Sequence, residues 1–223
     1  KLVTKAFEFA DEAHHGQKRA TGEDYIEHSL QTAKNIAELN LPTAMVIAGI
    51  LHDVPEDTER TLEDVKKRFG ADIAKMVEGI TKLSRIKYRG IDRYVENLRK
   101  MFVAMAQDIR VILVKFADRL HNLQTLYALP ADKQKRIAME SLEIYAPIAN
   151  RLGIGELQSK LEDAAFKYAY PDEFIKIEQL IKNNFPIKKK TLNNMIRKIK
   201  NKLDKETITY YDIYGRRKHY YSF

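Results

Sequence analysis

The stretch from Pro42 to Thr61, PTAMVIAGILHDVPEDTERT, decides how the chain is read. From Ala44 to Leu51 it is an unbroken apolar run, and Pro42 suits a helix start, where its missing N–H costs no hydrogen bond. A helix is expected from Pro42 to His52, ended by Pro55. The apolar run is far shorter than the roughly 20 residues a membrane span needs, so it belongs in a protein core and no membrane association is expected. The pair His52-Asp53 that follows cannot be buried without partners. Neighbouring helical positions point about 100° apart, so this pair can share one ion only at a helix edge or end. The acidic residues Glu56, Asp57 and Glu59 come directly afterwards.

Working outward, Leu2, Ala6, Phe9 and Ala13 recur at three- and four-residue spacing, which predicts a helix over the first 15 residues. Gly16 to Asp24 reads as a loop, and about Tyr25 to Leu39 as a second helix. Thr61 and Asp64 have the spacing of a capping box for a helix closed by Gly70, with another helix over Ala71–Ile80. Ser84 to Asp92 is basic and pattern-poor, as in a surface loop. Helices are expected over Tyr94–Ala106, Asp108–Leu126 and Asp132–Ala149, the last capped by Asp132. Past a turn at Gly153 and Gly155 come Glu156–Tyr168, Pro171–Asn183 and a basic helix over Ile187–Leu203. Without helix–strand alternation the main domain is expected to be all-α. Thr207 to Phe223 changes to a β-type composition with Ile208, Tyr210, Tyr211, Ile213 and Tyr214, and ends on Phe223 without a terminating signal, as a fragment of a longer protein would.

The 223 residues, 44% hydrophobic and 31% charged, can bury a sizeable core. There is no cysteine, which excludes disulfides and thiolate metal sites, so any ion must be held by His, Asp or Glu. No signal-peptide pattern opens the chain, and a cytoplasmic location is expected. The formal charge of +8 implies attraction to polyanions. Lys188, Lys189, Lys190, Arg197, Lys198, Lys200 and Lys202 gather late in the chain, where a solvated helix face is the plainer reading of such a run.

His28 and Asp118, each within an expected helix, add two candidate ligands to His52 and Asp53. Two histidines with two carboxylates suit Mn²⁺, Fe²⁺, Ni²⁺ or Zn²⁺ with positions left for water and substrate. A His-Asp dipeptide alone carries little weight. An earlier His, a His-Asp after an apolar helix and a later helical Asp together form the HD phosphohydrolase pattern. Glu56 and Asp57 are then placed to orient and deprotonate an attacking water; taken alone, they would be acidic residues favoured near a helix start.

The strings HHGQKRATGEDYIEHSL, LHDVPEDTERT, FGADIAKMVEGITKLS, ENLRKMFVAMAQDIRVILVKFADRLHNLQTL and ESLEIYAPIANRLGIGELQSKLED follow one another in order. They resemble successive motifs of the hydrolase domain of long RelA/SpoT homologues, and GRRKHYYSF resembles the opening of the adjoining synthetase domain. The resemblance implies a helical hydrolase domain over 1–180, a basic helical connector over 181–206, and the start of an α/β synthetase domain over 207–223. It implies hydrolysis of the 3′-pyrophosphate of the guanosine polyphosphates ppGpp or pppGpp with Mn²⁺. His28, His52, Asp53 and Asp118 would hold the metal, and Glu56 with Asp57 would handle the water. Arg19 would stack on the base, while Asn122 and Thr125 would hydrogen-bond the nucleotide. Implied partners are the missing synthetase and regulatory parts of the parent chain, with ribosome association through them.

Several positions depart from the family pattern: Ala20 replaces a common Lys, Ser29 a Pro, Pro55 an aliphatic residue and Gln124 an Arg. None removes a ligand, but two cations are lost near the pocket and Pro55 can shift the Glu56-Asp57 loop. Competing readings are a catalytically silent regulatory domain controlling the synthetase, a phosphatase for another nucleotide such as NADPH, and a nucleic-acid binder using 188–202.

Overall fold

A computed structural model describes residues 1–84, 91–184, 189–215 and 218–223. They group into two compact units, Lys1–Ala165 and Phe166–Phe223. All regular structure among them is helical, apart from an isolated antiparallel bridge between Lys18 and Asp24, as the sequence leads one to expect. No helix among the described residues is long and apolar enough to cross a membrane.

The first unit is organised around α3 (Thr43–Leu51), which packs on α1 (Leu2–Ala13), α2 (Tyr25–Glu38), α6 (Ala71–Ser84) and α8 (Ile109–Gln124). Met45, Ile47, Ala48, Ile50 and Leu51 are all buried, so α3 is apolar around its circumference, which only a central helix tolerates. Gly49 allows the close approach to α2: a Cβ there would meet Ile36 Cδ1 at 2.5 Å. Phe9, Ile36, Met76, Val77, Ile80 and Val114 complete this core. Asn35 on α2 donates from Nδ2 to the carbonyl of Ala117 at 3.1 Å, tying α2 to α8.

Pro55 does not end α3. That helix closes at Leu51, and Pro55 lies in the first turn of a separate short helix, α4 (Val54–Asp57), where a residue without an N–H is harmless. The Thr61–Asp64 capping box of α5 (Leu62–Phe69) forms as expected, and Gly70 closes that helix at φ 91°. α6 reaches Ser84 and α7 (Ile91–Gln107) begins at Ile91; residues 85–90 of the expected surface loop lie outside the described residues.

The expected helix over Asp132–Ala149 is divided. α9 (Ala131–Glu140) passes through a π-helical turn, Ser141–Tyr145, into α10 (Ala146–Arg151). Pro147 explains the break, because without an N–H it cannot donate to the preceding turn. Pro130, rather than Asp132, is the N-cap, and Asp132 sits in the first turn, where its charge favours the helix start. Leu126–Ala128 forms a 3₁₀ turn after α8, and α11 (Gly155–Ala169) follows Gly153 at φ 76°.

Asp108 caps α8 by accepting the backbone N–H of Arg110 at 3.0 Å, while the Arg110 guanidinium bonds both Asp108 and Asp72 of α6 at 2.7 Å. Hydrogen bonding to Arg110 holds both carboxyls below their ordinary range. A depressed carboxyl contributes stability above its unfolded pKa, and that contribution is lost as pH falls through the folded value. Asp108→Ala is therefore expected to cost about 1 kcal/mol at pH 7, typical of a lost cap. The difference from wild type should shrink toward pH 3. Urea unfolding at both pH values checks this, and an equal difference at the two would rule it out.

In the second unit, α12 (Pro171–Asn184) and α13 (Lys189–Lys205) accompany an aromatic group of Phe166, Tyr170, Phe174, Tyr220 and Tyr221. Arg197, Lys198 and Lys202 are exposed on α13; Lys188, Arg216 and Arg217 lie outside the described residues. Despite its β-type composition, the described part of 207–223 forms no strand and carries one 3₁₀ turn, Tyr220–Ser222.

Candidate metal centre and adjoining cleft

Three stretches distant in sequence bring His28, the adjacent His52 and Asp53, and Asp118 together. His28 projects from the first turn of α2, His52 caps the end of α3, Asp53 caps the start of α4, and Asp118 lies on α8. The His-Asp pair thus sits at the junction between two helices, the placement that lets adjacent side chains converge.

His28 Nε2 is 3.3 Å from Asp118 Oδ1 and 3.4 Å from Asp53 Oδ2. His52 Nε2 lies 3.1 Å from Asp53 Oδ1 and 3.9 Å from Asp118 Oδ1. Ligand atoms of His28, His52 and Asp118 all fall within 4.8 Å of one another, so these three can hold a metal ion, and the Asp53 carboxylate borders the same space.

One atom tests whether a cation fits. His52 places Nδ1 2.8 Å from the carbonyl of Gly49, which can only accept, so Nδ1 carries the proton. Its Nε2 is fully buried and makes no well-directed hydrogen bond, although Asp53 Oδ1 lies 3.1 Å away. A buried imidazole nitrogen set between two carboxylates without a well-directed hydrogen bond to either is poorly satisfied as a core group and suits a cation ligand.

The electrostatics agree. Burial disfavours a charged His52, but Asp53 and then Asp118 outweigh it and push its pKa up to about 9. Burial also works against the Asp53 and Asp118 carboxylates, yet His52 beside Asp53 and Lys115 beside Asp118 keep both well below the carboxylate range. Without metal a proton on His52 balances the paired carboxylates, and a cation would displace it.

Among the surrounding residues, Tyr25, Gln17, Lys115 and His121 have no role assigned from sequence alone. Tyr25 shares its hydroxyl proton between Asp57 Oδ2 at 2.7 Å and Asp53 Oδ2 at 3.0 Å. Burial and then the two carboxylates keep this phenol protonated. Gln17 donates from Nε2 to the carbonyl of Asp57 at 2.8 Å, anchoring α4. Lys115 Nζ and Asn122 Nδ2 both donate to Asp118, and His121 Nδ1 faces His28 Nδ1. Helical spacing was the available signal: Tyr25 precedes His28 by three residues, and Lys115 and His121 flank Asp118 at the same interval.

Asp118 also lines a cleft of about 510 Å³. Lys18, Arg19, Lys115, Arg119 and Arg136 line it too, against the carboxylates of Asp118 and Glu140. Arg19, Asn122 and Thr125 all border this cleft. Arg19 donates to Asn122 Oδ1 at 2.8 Å and lies over the Tyr25 ring at 5.5 Å, so its guanidinium is held with one edge engaged. The Thr125 hydroxyl donates to its own helix, reaching the carbonyl of His121 at 3.1 Å. Glu56 and Asp57 are exposed on α4.

Comparisons with known proteins agree with this arrangement. A family model described as HD domain matches residues 6–155. The chain is 45% identical over 99% of its length to a guanosine-3′,5′-bis(diphosphate) 3′-pyrophosphohydrolase of Aquifex aeolicus, covering 31% of that protein. It is 42% identical over its full length to the bifunctional (p)ppGpp synthase/hydrolase SpoT of Escherichia coli, covering 32% of it. The chain therefore spans under a third of the curated relatives it matches. A solved structure described as a metazoan ortholog of SpoT that hydrolyzes ppGpp shares the fold, with a TM-score of 0.53 at 19% identity, over 83% of this chain and 97% of the other.

Proposed function

The chain belongs to the HD domain family, and from that membership we propose that it hydrolyses the 3′-pyrophosphate of ppGpp or pppGpp, giving GDP or GTP and pyrophosphate. The observation that carries this reading is the double position of Asp118, which belongs both to the cluster of cation donors and to the wall of a cation-lined cleft. A polyphosphate held in the cleft reaches the cluster.

We assign His28, His52, Asp53 and Asp118 to a divalent cation, Mn²⁺ in the reading the family resemblance favours. Such a cation supplies Lewis-acid stabilisation of charge developing on phosphorus and makes a water more acidic. The chain's own residues do the rest. Asp57, linked to Asp53 through the Tyr25 hydroxyl, together with Glu56 would orient the water and accept its proton. Lys115, Arg119 and Arg136 would offset the phosphate charges, Arg119 from a guanidinium held by its Nη2 donating to the Tyr145 hydroxyl at 2.8 Å. Arg19 would stack on the guanine, and Asn122 and Thr125 would hydrogen-bond the nucleotide. Ala20 lines the same cleft, so its missing ammonium weakens phosphate binding there.

The names of the relatives support a place as the hydrolase part, over about 1–180, of a longer synthetase-hydrolase. The connector, the synthetase start at 207–223, association with the ribosome through the remainder and a cytoplasmic location belong to the same proposal. Incubating the chain with ppGpp and Mn²⁺ is expected to release pyrophosphate, and EDTA is expected to stop it. Nucleotide binding without release would make the domain a silent regulator; release from NADPH but not ppGpp would refute the substrate assignment.

A further inference from the structure

We propose that His121 is a positioning residue for the cation site: its Nδ1 accepts the hydrogen bond that fixes His28 with a lone pair on Nε2. The inference rests on the cation-site reading above and concerns the ring behind a ligand. His28 Nδ1 and His121 Nδ1 lie 2.6 Å apart, with both rings buried and their centroids 4.9 Å apart. Two ring nitrogens facing at that distance need a single proton between them, because two lone pairs or two protons would repel.

The far side of His28 decides which ring holds that proton. His28 Nε2 points at Asp118 and Asp53, and to bind a cation it must present a lone pair. The neutral ring then carries its proton on Nδ1 and donates it to His121, whose own proton sits on Nε2. His52 meets the same requirement differently, by donating from Nδ1 to the carbonyl of Gly49. A carbonyl is always an acceptor, whereas an imidazole nitrogen is one in a single tautomer, so the orientation of His28 depends on a side chain that can be replaced. α8 thereby supplies one ligand, Asp118, and the support of another three residues later on the same face. The last turn is held by the Thr125 N–H bonded to the carbonyl of His121 at 3.2 Å.

The test compares wild type, His121→Phe, His121→Gln and His52→Ala by calorimetric titration with Mn²⁺ and by Tm in EDTA. His121→Phe, which keeps a ring but loses the acceptor, is expected to weaken Mn²⁺ binding roughly 10–100-fold. His121→Gln, whose Oε1 can accept the same proton, is expected to recover most of that loss. If His121 only fills the core, Tm moves while affinity does not; that result, or equal weakening by Phe and Gln, overturns the proposal. Absence of Mn²⁺ binding by wild type, or unchanged binding by His52→Ala, overturns the cation site itself and the inference with it. Imidazole ¹⁵N spectra of wild type loaded with diamagnetic Zn²⁺ need no variant to fold. They should show His28 protonated at Nδ1 and His121 at Nε2, and the opposite assignment refutes the inference.

Discussion

Replacing His52 with alanine is expected to abolish cation binding and to reduce pyrophosphate release from ppGpp by at least about 10³-fold, since both the cation's charge stabilisation and its effect on water are lost. The expectation follows from where the His52 ring places its two nitrogens. Its Nδ1 bonds a carbonyl of its own helix at 2.8 Å, and its buried Nε2 faces Asp53 Oδ1 at 3.1 Å without a well-directed hydrogen bond. A cation shared with Asp53 and Asp118 would use that nitrogen directly. Truncation also leaves a small cavity, for which a loss of about 2–3 kcal/mol is expected. Titration with Mn²⁺ must therefore be made on protein whose helical circular dichroism matches wild type. Folded His52→Ala that binds Mn²⁺ within threefold of wild type would remove the basis for the cation site.

The His52-Asp53 part of this site was legible in the sequence because its geometry is local, at one helix junction. The apolar run before His52 demands a central helix, and the adjacency of His52 and Asp53 demands a helix end, which is where both are found. The Thr61–Asp64 box and Gly70 marked α5 for a similar reason, since caps act within one turn. The errors arose where one local signal has two structural outcomes. Proline breaks a helix or begins one, and Pro55 begins α4, so it leaves the Glu56 and Asp57 N–H groups bonded to the carbonyl of Asp53. Pro147, expected within one continuous helix over Asp132–Ala149, instead sits at the start of α10 behind a π turn. The β-type composition after Thr207 has no partner strand among the described residues, and a strand without a partner has little stability. What the sequence hid was the ring of supporting groups. Tyr25, Lys115 and His121 are ordinary residues for their helices, and only the meeting of α2 with α8 gives them a common purpose.

Asp118→Ala is expected to be the most destabilising single change at the site, because it removes a proposed ligand and uncovers a buried charge together. Asp118 is 3% exposed and accepts from Lys115 Nζ and Asn122 Nδ2. The Lys115 side chain is itself only 15% exposed. Burial alone would lower the Lys115 pKa, yet its carboxylate neighbour, Asp118 first, holds it above the usual range. Removing one member of a buried pair costs about 3–5 kcal/mol, most of it from the charge left behind. For a chain of this size the Tm of the metal-free protein should fall by on the order of 10 °C. The added change Lys115→Met separates the two roles. In the double variant the uncovered ammonium is gone and most of the lost stability should return, whereas Mn²⁺ binding should stay absent because the ligand has not been restored. Tm in EDTA and Mn²⁺ titration on both variants check this. If Asp118→Ala costs under about 1 kcal/mol, the buried pair does not behave as described; if the double variant regains cation binding, Asp118 is not a ligand.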